Sequence, residues 1–240
     1  MNQALTRPDL SDYYTGQARH LIAIDCIIFG FDEGELKLLA IRRQIEPNRG
    51  NWSLIGGFIN ENESLSDATG RIIRNLTGLE HIYVSQLYAH GEVNRDPVAR
   101  VLSVSYYALI KCQAYNQQLI DAAGARWFSI SDLPQLIFDH PEMVAMALAE
   151  LRKEVRVKPI GFELLPPKFT LPQLQCVYEA IYQKTLDKRN FRKNILQMDL
   201  LERLDEKDKT NSRKGAWFYR FNTDRYKQLS SNGFYFYVSV

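Results

Sequence analysis

Two stretches of this chain hold side chains whose type and spacing could do chemistry. The first is Gly57–Leu79, GFINENESLSDATGRIIRNLTGL. Glu63 could give oxygen ligands to a hard cation, and Arg71 could pair with a carboxylate or an anion. Glutamates one turn apart on a helix would hold divalent ions that activate water for attack on phosphorus. Between Arg71 and Leu79 this stretch holds no acid. The second is Lys188–Met198, KRNFRKNILQM, where cations and amides recur along one side of an amphipathic pattern. Arg there suits guanine, Asn and Gln suit adenine, and the remaining cations suit phosphates.

The elements that must position these groups are legible in order. Leu21–Gly30 is a β-branched apolar run of strand length, and Leu36–Ile41 is a second strand across the turn Asp32-Glu33-Gly34-Glu35. Trp52–Ile59 is short and apolar. A helix is expected over Ser64–Thr77, with Leu65, Ala68, Ile72, Ile73 and Leu76 on one face and Gly78 closing it. His81–His90, Arg100–Cys112 and a short stretch at Trp127-Phe128 read as strands. A helical stretch is expected from Ser131–Pro134 and a longer helix from Pro141. Residues 156–168, RVKPIGFELLPPK, hold three of the chain's nine prolines and read as the domain connection. Beyond it, Thr170 and Gln173 suit a capping box, and Asp187 can cap a second helix. Leu200–Asp205 and Ala216–Phe221 read as a ribbon around the charged loop DEKDKTNSRKG, with a further helix near Asp224–Ser230. Helix, turn, helix, then a two-stranded ribbon with a basic tip is the outline of a winged helix.

The charge divides along the same line. Residues 1–150 carry 12 Lys+Arg against 18 Asp+Glu; residues 151–240 carry 18 against 10. The whole chain of 240 residues has a net charge of +2, so an acidic half is joined to a basic one that suits an anionic partner such as nucleic acid. No run of about 18 apolar residues suggests a membrane span, and the polar N-terminus does not resemble a secretory signal. Cys26, Cys112 and Cys176 lie far apart among apolar neighbours, which suggests buried, reduced thiols in a cytoplasmic protein.

Gly57, Glu63, Arg71, Ile73, Gly78 and Leu79 stand at the spacing of the Nudix box, G-x5-E-x7-R-E-U-x-E-E-x-G-U with U aliphatic, so this stretch resembles that family. Where the pattern has its three later glutamates, the chain has Ile72, Asn75 and Leu76. The resemblance implies the fold, and the departures argue against hydrolysis, because Ile and Leu cannot ligate a metal and Asn offers only a neutral carbonyl. Residues 169–196, FTLPQLQCVYEAIYQKTLDKRNFRKNIL, look like the winged-helix half of the NrtR-type Nudix-related regulators. That resemblance implies an α+β fold, a Nudix-like α/β/α sandwich over 1–155 and a winged helix-turn-helix domain over 156–240. It implies a homodimeric cytoplasmic repressor of the NAD or the carbohydrate-metabolism branch. It would bind double-stranded operator DNA and sense a small effector, a sugar such as a pentose or ADP-ribose.

On the helix after Asp187, Phe191, Ile195 and Met198 should face the core. Arg189, Lys193 and Gln197, with Asn190 beside them, should form the base-reading ridge, with Lys188 and Arg192 on its flanks. Lys207, Lys209, Arg213 and Lys214 in the loop would meet phosphate or the minor groove. Candidate effector contacts, placed near the strand ends, are Arg43, Phe58, Glu63, His90, Glu92 and Arg95. No catalytic residue, metal or cofactor is expected. The missing metal acids tilt the expectation slightly from a pyrophosphate towards a sugar. The enzymatic alternative is a Nudix hydrolase drawing its acids from outside the box, with Glu92 and Asp96 as candidates.

Overall fold

The computed structural model describes residues 14–80, 82–111, 117–210 and 214–238. β1 (Leu21–Asp32) and β2 (Glu35–Arg42) form the expected hairpin, with Glu33 and Gly34 both at positive φ as a tight right-twisted turn needs. β1 pairs in parallel with β6 (Val101–Lys111) along its length, and β5 (Tyr83–His90) closes that side antiparallel to β6. On its other side β1 changes partner. Ala23–Cys26 pair with β4 (Ile55–Phe58), whereas Ile28–Asp32 pair with β2. β3 (Trp52–Ser53) and β7 (Ala125–Ser129) complete the sheet on β2. The parting of β2 from β4 along β1 leaves a gap in the ladder, and the candidate site lies there.

Alternation along β1 sends its side chains to two cores. Ile24, Cys26 and Ile28 pack with α1 (Leu65–Thr77) through Ala68, Ile72, Ile73 and Leu76. Ile27 and Phe29 face the other way, onto α3 (His140–Val157) through Met143, Ala147 and Leu151. The result is the α/β/α sandwich expected from the sequence. α1 starts at a capping box made by Ser64 and Asp67 and ends at Gly78 in the left-handed conformation.

The C-terminal part contains α4 (Leu171–Tyr182), α5 (Lys188–Gln197), β9 (Leu201–Asp208), β10 (Ala216–Phe221) and α6 (Thr223–Ser231). The short β8 (Phe169–Thr170) adds a third strand on β10. Thr170 and Gln173 form the expected capping box, and Asp187 caps α5 by accepting from the Asn190 N–H. This is the winged helix that the sequence outlines.

Several local expectations need correction. Ser131–Pro134 start no helix; a turn at Asp132 leads instead to a bridge between Leu136 and Trp52. The short helix α2 (Gln117–Ala122) has no strong sequence signal. β9 runs on to Asp208, so Lys207 lies on the strand and not in the loop. Cys176 is exposed, because it falls off the apolar stripe Leu174–Val177–Tyr178–Ile181 that turns to the core. Residues 156–168, read as the domain connection, are packed. Pro159–Leu164 form a 3-10 helix with Ile160, Gly161 and Leu164 buried, and one apolar core runs from β1 through α3 into α4 and α5. Hydrogen bonds reinforce that junction: Tyr178 Oη donates to the Val155 carbonyl and Arg152 Nε donates to that of Ile181. His81, Cys112 and Arg213 lie outside the described residues.

Candidate effector site and nucleic-acid interface

Where β2 and β4 part, a cavity of about 200 Å³ opens. Its walls come from β1 (Ala23, Asp25), the end of β2 and its loop (Ile41, Arg43), β4 (Gly56, Gly57, Phe58), the loop after β5 (Arg95, Asp96) and the start of α3 (His140). Of the six residues expected near an effector, Arg43, Phe58 and Arg95 line this cavity and Glu63, His90 and Glu92 do not.

Phe58 is 47% exposed at the mouth. The Arg43 guanidinium lies 5.3 Å from the Phe138 ring centroid, while its Nε donates to the Pro47 carbonyl at 2.7 Å. Arg95 belongs to the cavity floor and is tied into a buried network. It is 2.8 Å from Asp139 and 3.4 Å from Asp25, with its side chain only 5% exposed. Asp25 also accepts from Ser103 Oγ at 2.5 Å. His140 completes the floor. Its Nδ1 accepts from the Leu54 N–H, so its proton sits on Nε2, 3.6 Å from Asp25. Burial pushes the His140 imidazole below its ordinary pKa, against the pull of Asp25 and Asp139.

Glu63 serves the backbone of the box. It accepts from Arg71 Nε at 2.9 Å and from the Asn60 N–H at 2.7 Å, and Arg71 also donates to the Phe58 carbonyl. The Arg71 guanidinium, with the Asn60 N–H, holds the Glu63 carboxyl at about 2. His90 bonds Ser105 Oγ at 2.9 Å and stacks edge-on with Tyr88. Glu92 is exposed in the following loop, and its carbonyl accepts from Arg100. Asp96 lines the cavity, but its Oδ1 accepts from the Val98 and Ala99 N–H groups, which ties it to the loop turn.

At the box positions that carry acids in the Nudix pattern, Ile72 and Leu76 are each only 7% exposed in the core under the sheet, and Asn75 points to solvent. Ile72 is the nearest side chain to Gly57. Among the described residues no three His, Cys, Asp or Glu side chains are grouped as a metal site requires. Gly56 is fixed by close approach: a Cβ there would lie 2.6 Å from both Asp25 Oδ1 and the Ile24 carbonyl oxygen. The expected result for Gly56→Ala is a loss of about 1–3 kcal/mol in chemical denaturation, because backbone must move to admit the methyl group. Unchanged stability would contradict the close approach.

The second site is α5. Phe191 and Ile195 are buried and Met198 is partly so, which leaves Lys188, Arg189, Asn190, Arg192, Lys193 and Gln197 exposed along the opposite side. None of its four cations is ion-paired among the described residues. Lys209 and Lys214 are exposed at the ends of the wing loop.

Residues 19–147 match the NUDIX domain, and residues 161–221 match the NrtR DNA-binding winged helix domain. The fold and the two sites therefore define the class: a Nudix domain with an altered box, joined to a winged helix. An ADPR responsive transcriptional repressor NtrR of Acinetobacter baylyi is 32% identical over 210 residues, 86% of this chain and 84% of that protein. The crystal structure of Shewanella oneidensis NrtR complexed with a 27mer DNA has a TM-score of 0.79 at 28% identity, covering 91% of this chain and 99% of that one. The NUDIX domain of the same protein complexed with ADP ribose gives 0.51 at 29% identity, over 59% and 98%. An ADP-ribose pyrophosphatase of Methanocaldococcus jannaschii is 32% identical over 123 residues, 51% of this chain and 70% of that protein. The chain belongs to the NrtR family of Nudix-related transcriptional regulators.

Proposed function

We propose that this chain is a transcriptional repressor that binds operator DNA through α5 and the wing and releases it when ADP-ribose occupies the Nudix cavity. The observation that carries the reading is the unpaired, exposed cationic side of α5, set on an apolar face that fixes its orientation. Arg189, Asn190, Lys193 and Gln197 would read base edges, and Lys188, Arg192, Lys209, Arg213 and Lys214 would hold the backbone. The protein would work as a cytoplasmic homodimer, one α5 per half-site.

ADP-ribose is preferred over a sugar because the relatives above are described with ADP ribose, and none gives support to a pentose. The size of the site is compatible with this. The 200 Å³ cavity would take part of such a ligand, and a neighbouring cleft of about 500 Å³, lined by Arg42, Asn48, Asn51 and Trp52, shares Phe138 with it. Arg43, Phe58 and Arg95 are the contacts proposed in the cavity; Glu63 is proposed to shape the loop that carries Phe58.

No turnover is part of the proposal. Ile72 and Leu76 supply no oxygen ligand, and Asp96 spends its carboxylate on the loop. The relation to an ADP-ribose pyrophosphatase makes hydrolysis the alternative to test. The experiment is a mobility-shift titration on DNA selected from a random pool, with ADP-ribose, L-arabinose and D-xylose as effectors. A parallel assay follows ADP-ribose hydrolysis with Mg²⁺ or Mn²⁺. The expected result is release by intact ADP-ribose alone. Release by a pentose, failure to select any sequence at moderate salt, or steady turnover of ADP-ribose would each overturn the corresponding part.

A further inference from the structure

The floor of the effector cavity carries a hydrogen-bond donor and an acceptor that the protein leaves unspent. His140 and Asp25 are 3% and 8% exposed, and both line the cavity. The Leu54 N–H occupies His140 Nδ1, so the ring presents its Nε2–H. Ser103 and Arg95 both use Asp25 Oδ2, which leaves Oδ1. Nε2 and Oδ1 lie 3.6 Å apart, beyond hydrogen-bond reach of each other, and neither bonds another group among the described residues. Gly56, whose missing Cβ gives Oδ1 its room, lines the same cavity. Buried polar groups are almost always paired, so a donor and an acceptor left open side by side mark the place of a ligand group.

A hydroxyl answers both at once, since it can accept from Nε2–H and donate to Oδ1. An ionised phosphate oxygen only accepts. At this end it would also meet Asp25, Asp96 and Asp139 against the single cation Arg95. The available cation is at the other end of the cavity. Arg43 places its Nε on the Ile45 and Pro47 carbonyls, and its two terminal nitrogens hold no hydrogen bond among the described residues. Arg43 is close enough to His140 to lower the proton affinity of the imidazole, so the space between floor and cation takes one ring. In ADP-ribose the terminal ribose is joined directly to the pyrophosphate, whereas adenine is separated from it by a sugar. We propose that His140 and Asp25 are the specificity pair of this site and hold a hydroxyl of the terminal ribose, with the pyrophosphate turned outward to Arg43. The proposal rests on the ADP-ribose reading above and deepens it: two buried side chains on β1 and α3, outside the Nudix box, recognise the end of the ligand that ADP lacks.

The test is isothermal titration of the full chain with ADP-ribose and with the β-methyl ester of ADP. The ester keeps the adenosine, the pyrophosphate and the charge, and has no terminal ribose. ADP-ribose should bind roughly tenfold to a hundredfold tighter, because the ester leaves both buried groups unpaired. His140→Phe and, separately, Asp25→Asn should remove most of that difference by weakening ADP-ribose alone. Arg43→Gln should weaken both ligands alike. Unfolding curves show which variants are folded, and the comparison of the two ligands on the parent needs no variant. Equal affinity of the parent for both ligands overturns the proposal while the ADP-ribose reading stands. So does a folded His140 or Asp25 variant that keeps the full difference, or one that weakens both ligands by the same factor, which would put the shared adenosine on the floor. A parent that binds neither ligand overturns both readings.

Discussion

Arg95→Met is expected to lower the stability of the folded chain by about 3–5 kcal/mol at neutral pH, the cost of leaving buried carboxylates without their partner. Met keeps much of the volume, so the loss reads charge and not packing. Arg95 bridges Asp139, at the start of α3, and Asp25, in the middle of β1. Removing it leaves Asp25 with Ser103 and the neutral His140 alone. The pH dependence has a definite sign. Burial works to raise the Asp139 carboxyl, but the hydrogen bonds and charge of Arg95 outweigh it and hold the group below its ordinary value. A carboxylate lowered on folding stabilises above its unfolded pKa and loses that contribution as pH falls through the folded value. The gap between parent and Arg95→Met should therefore be widest near neutrality and close below about pH 4. His140 adds a slope of the same sign in the parent. Kept neutral by burial, it disfavours the fold as pH drops below the ordinary imidazole range. Urea denaturation at several pH values measures both. A constant gap would mean that Arg95 acts through shape.

Tyr178→Ala is expected to cost about 3–5 kcal/mol, as for other large aromatics removed from a full core. Tyr178 is fully buried on α4, bonds the last turn of α3 and meets the Phe191 ring edge-on at 5.3 Å. It ties α4 to both α3 and α5 across the junction, so the whole unfolding transition should move as one. Tyr178→Phe, which loses only the hydroxyl bond, should cost about 1 kcal/mol. A scan in which only one of two separate transitions shifts would contradict the shared core.

The parts of this molecule built from local signals could be read from the chain. The α1 stripe, the Glu33-Gly34 turn, the Thr170–Gln173 box and the face of α5 each depend on residues within a few positions of one another. The cavity floor could not, because Asp25, Ser103, Arg95, Asp139 and His140 come from segments tens of residues apart. For the same reason Arg95 reads from the sequence only as a cation in a polar loop, and its hydrogen bonds to Asp25 and Asp139 are not legible there. Arg203 and Lys207 are unremarkable charges until β9 and β10 pair and bring both over Trp217. The prolines of 156–168 mark a connection without saying how it packs. Proline is excluded only from a helix interior, and it is as compatible with a rigid, buried 3-10 turn as with an open linker.

That buried turn has a consequence for the lifetime of the protein as well as its shape. A ligand at a hundred times its dissociation constant adds about 2.7 kcal/mol to whatever folds together with its site. With one core running from β1 to α5, the cooperative unit extends to the DNA-reading end. Proteases cut the opened form, so a chain with its Nudix cavity filled would be protected far from the ligand as well as beside it. On the function proposed above, an effector that clears the operator would, by the same binding energy, preserve the released protein for the next round.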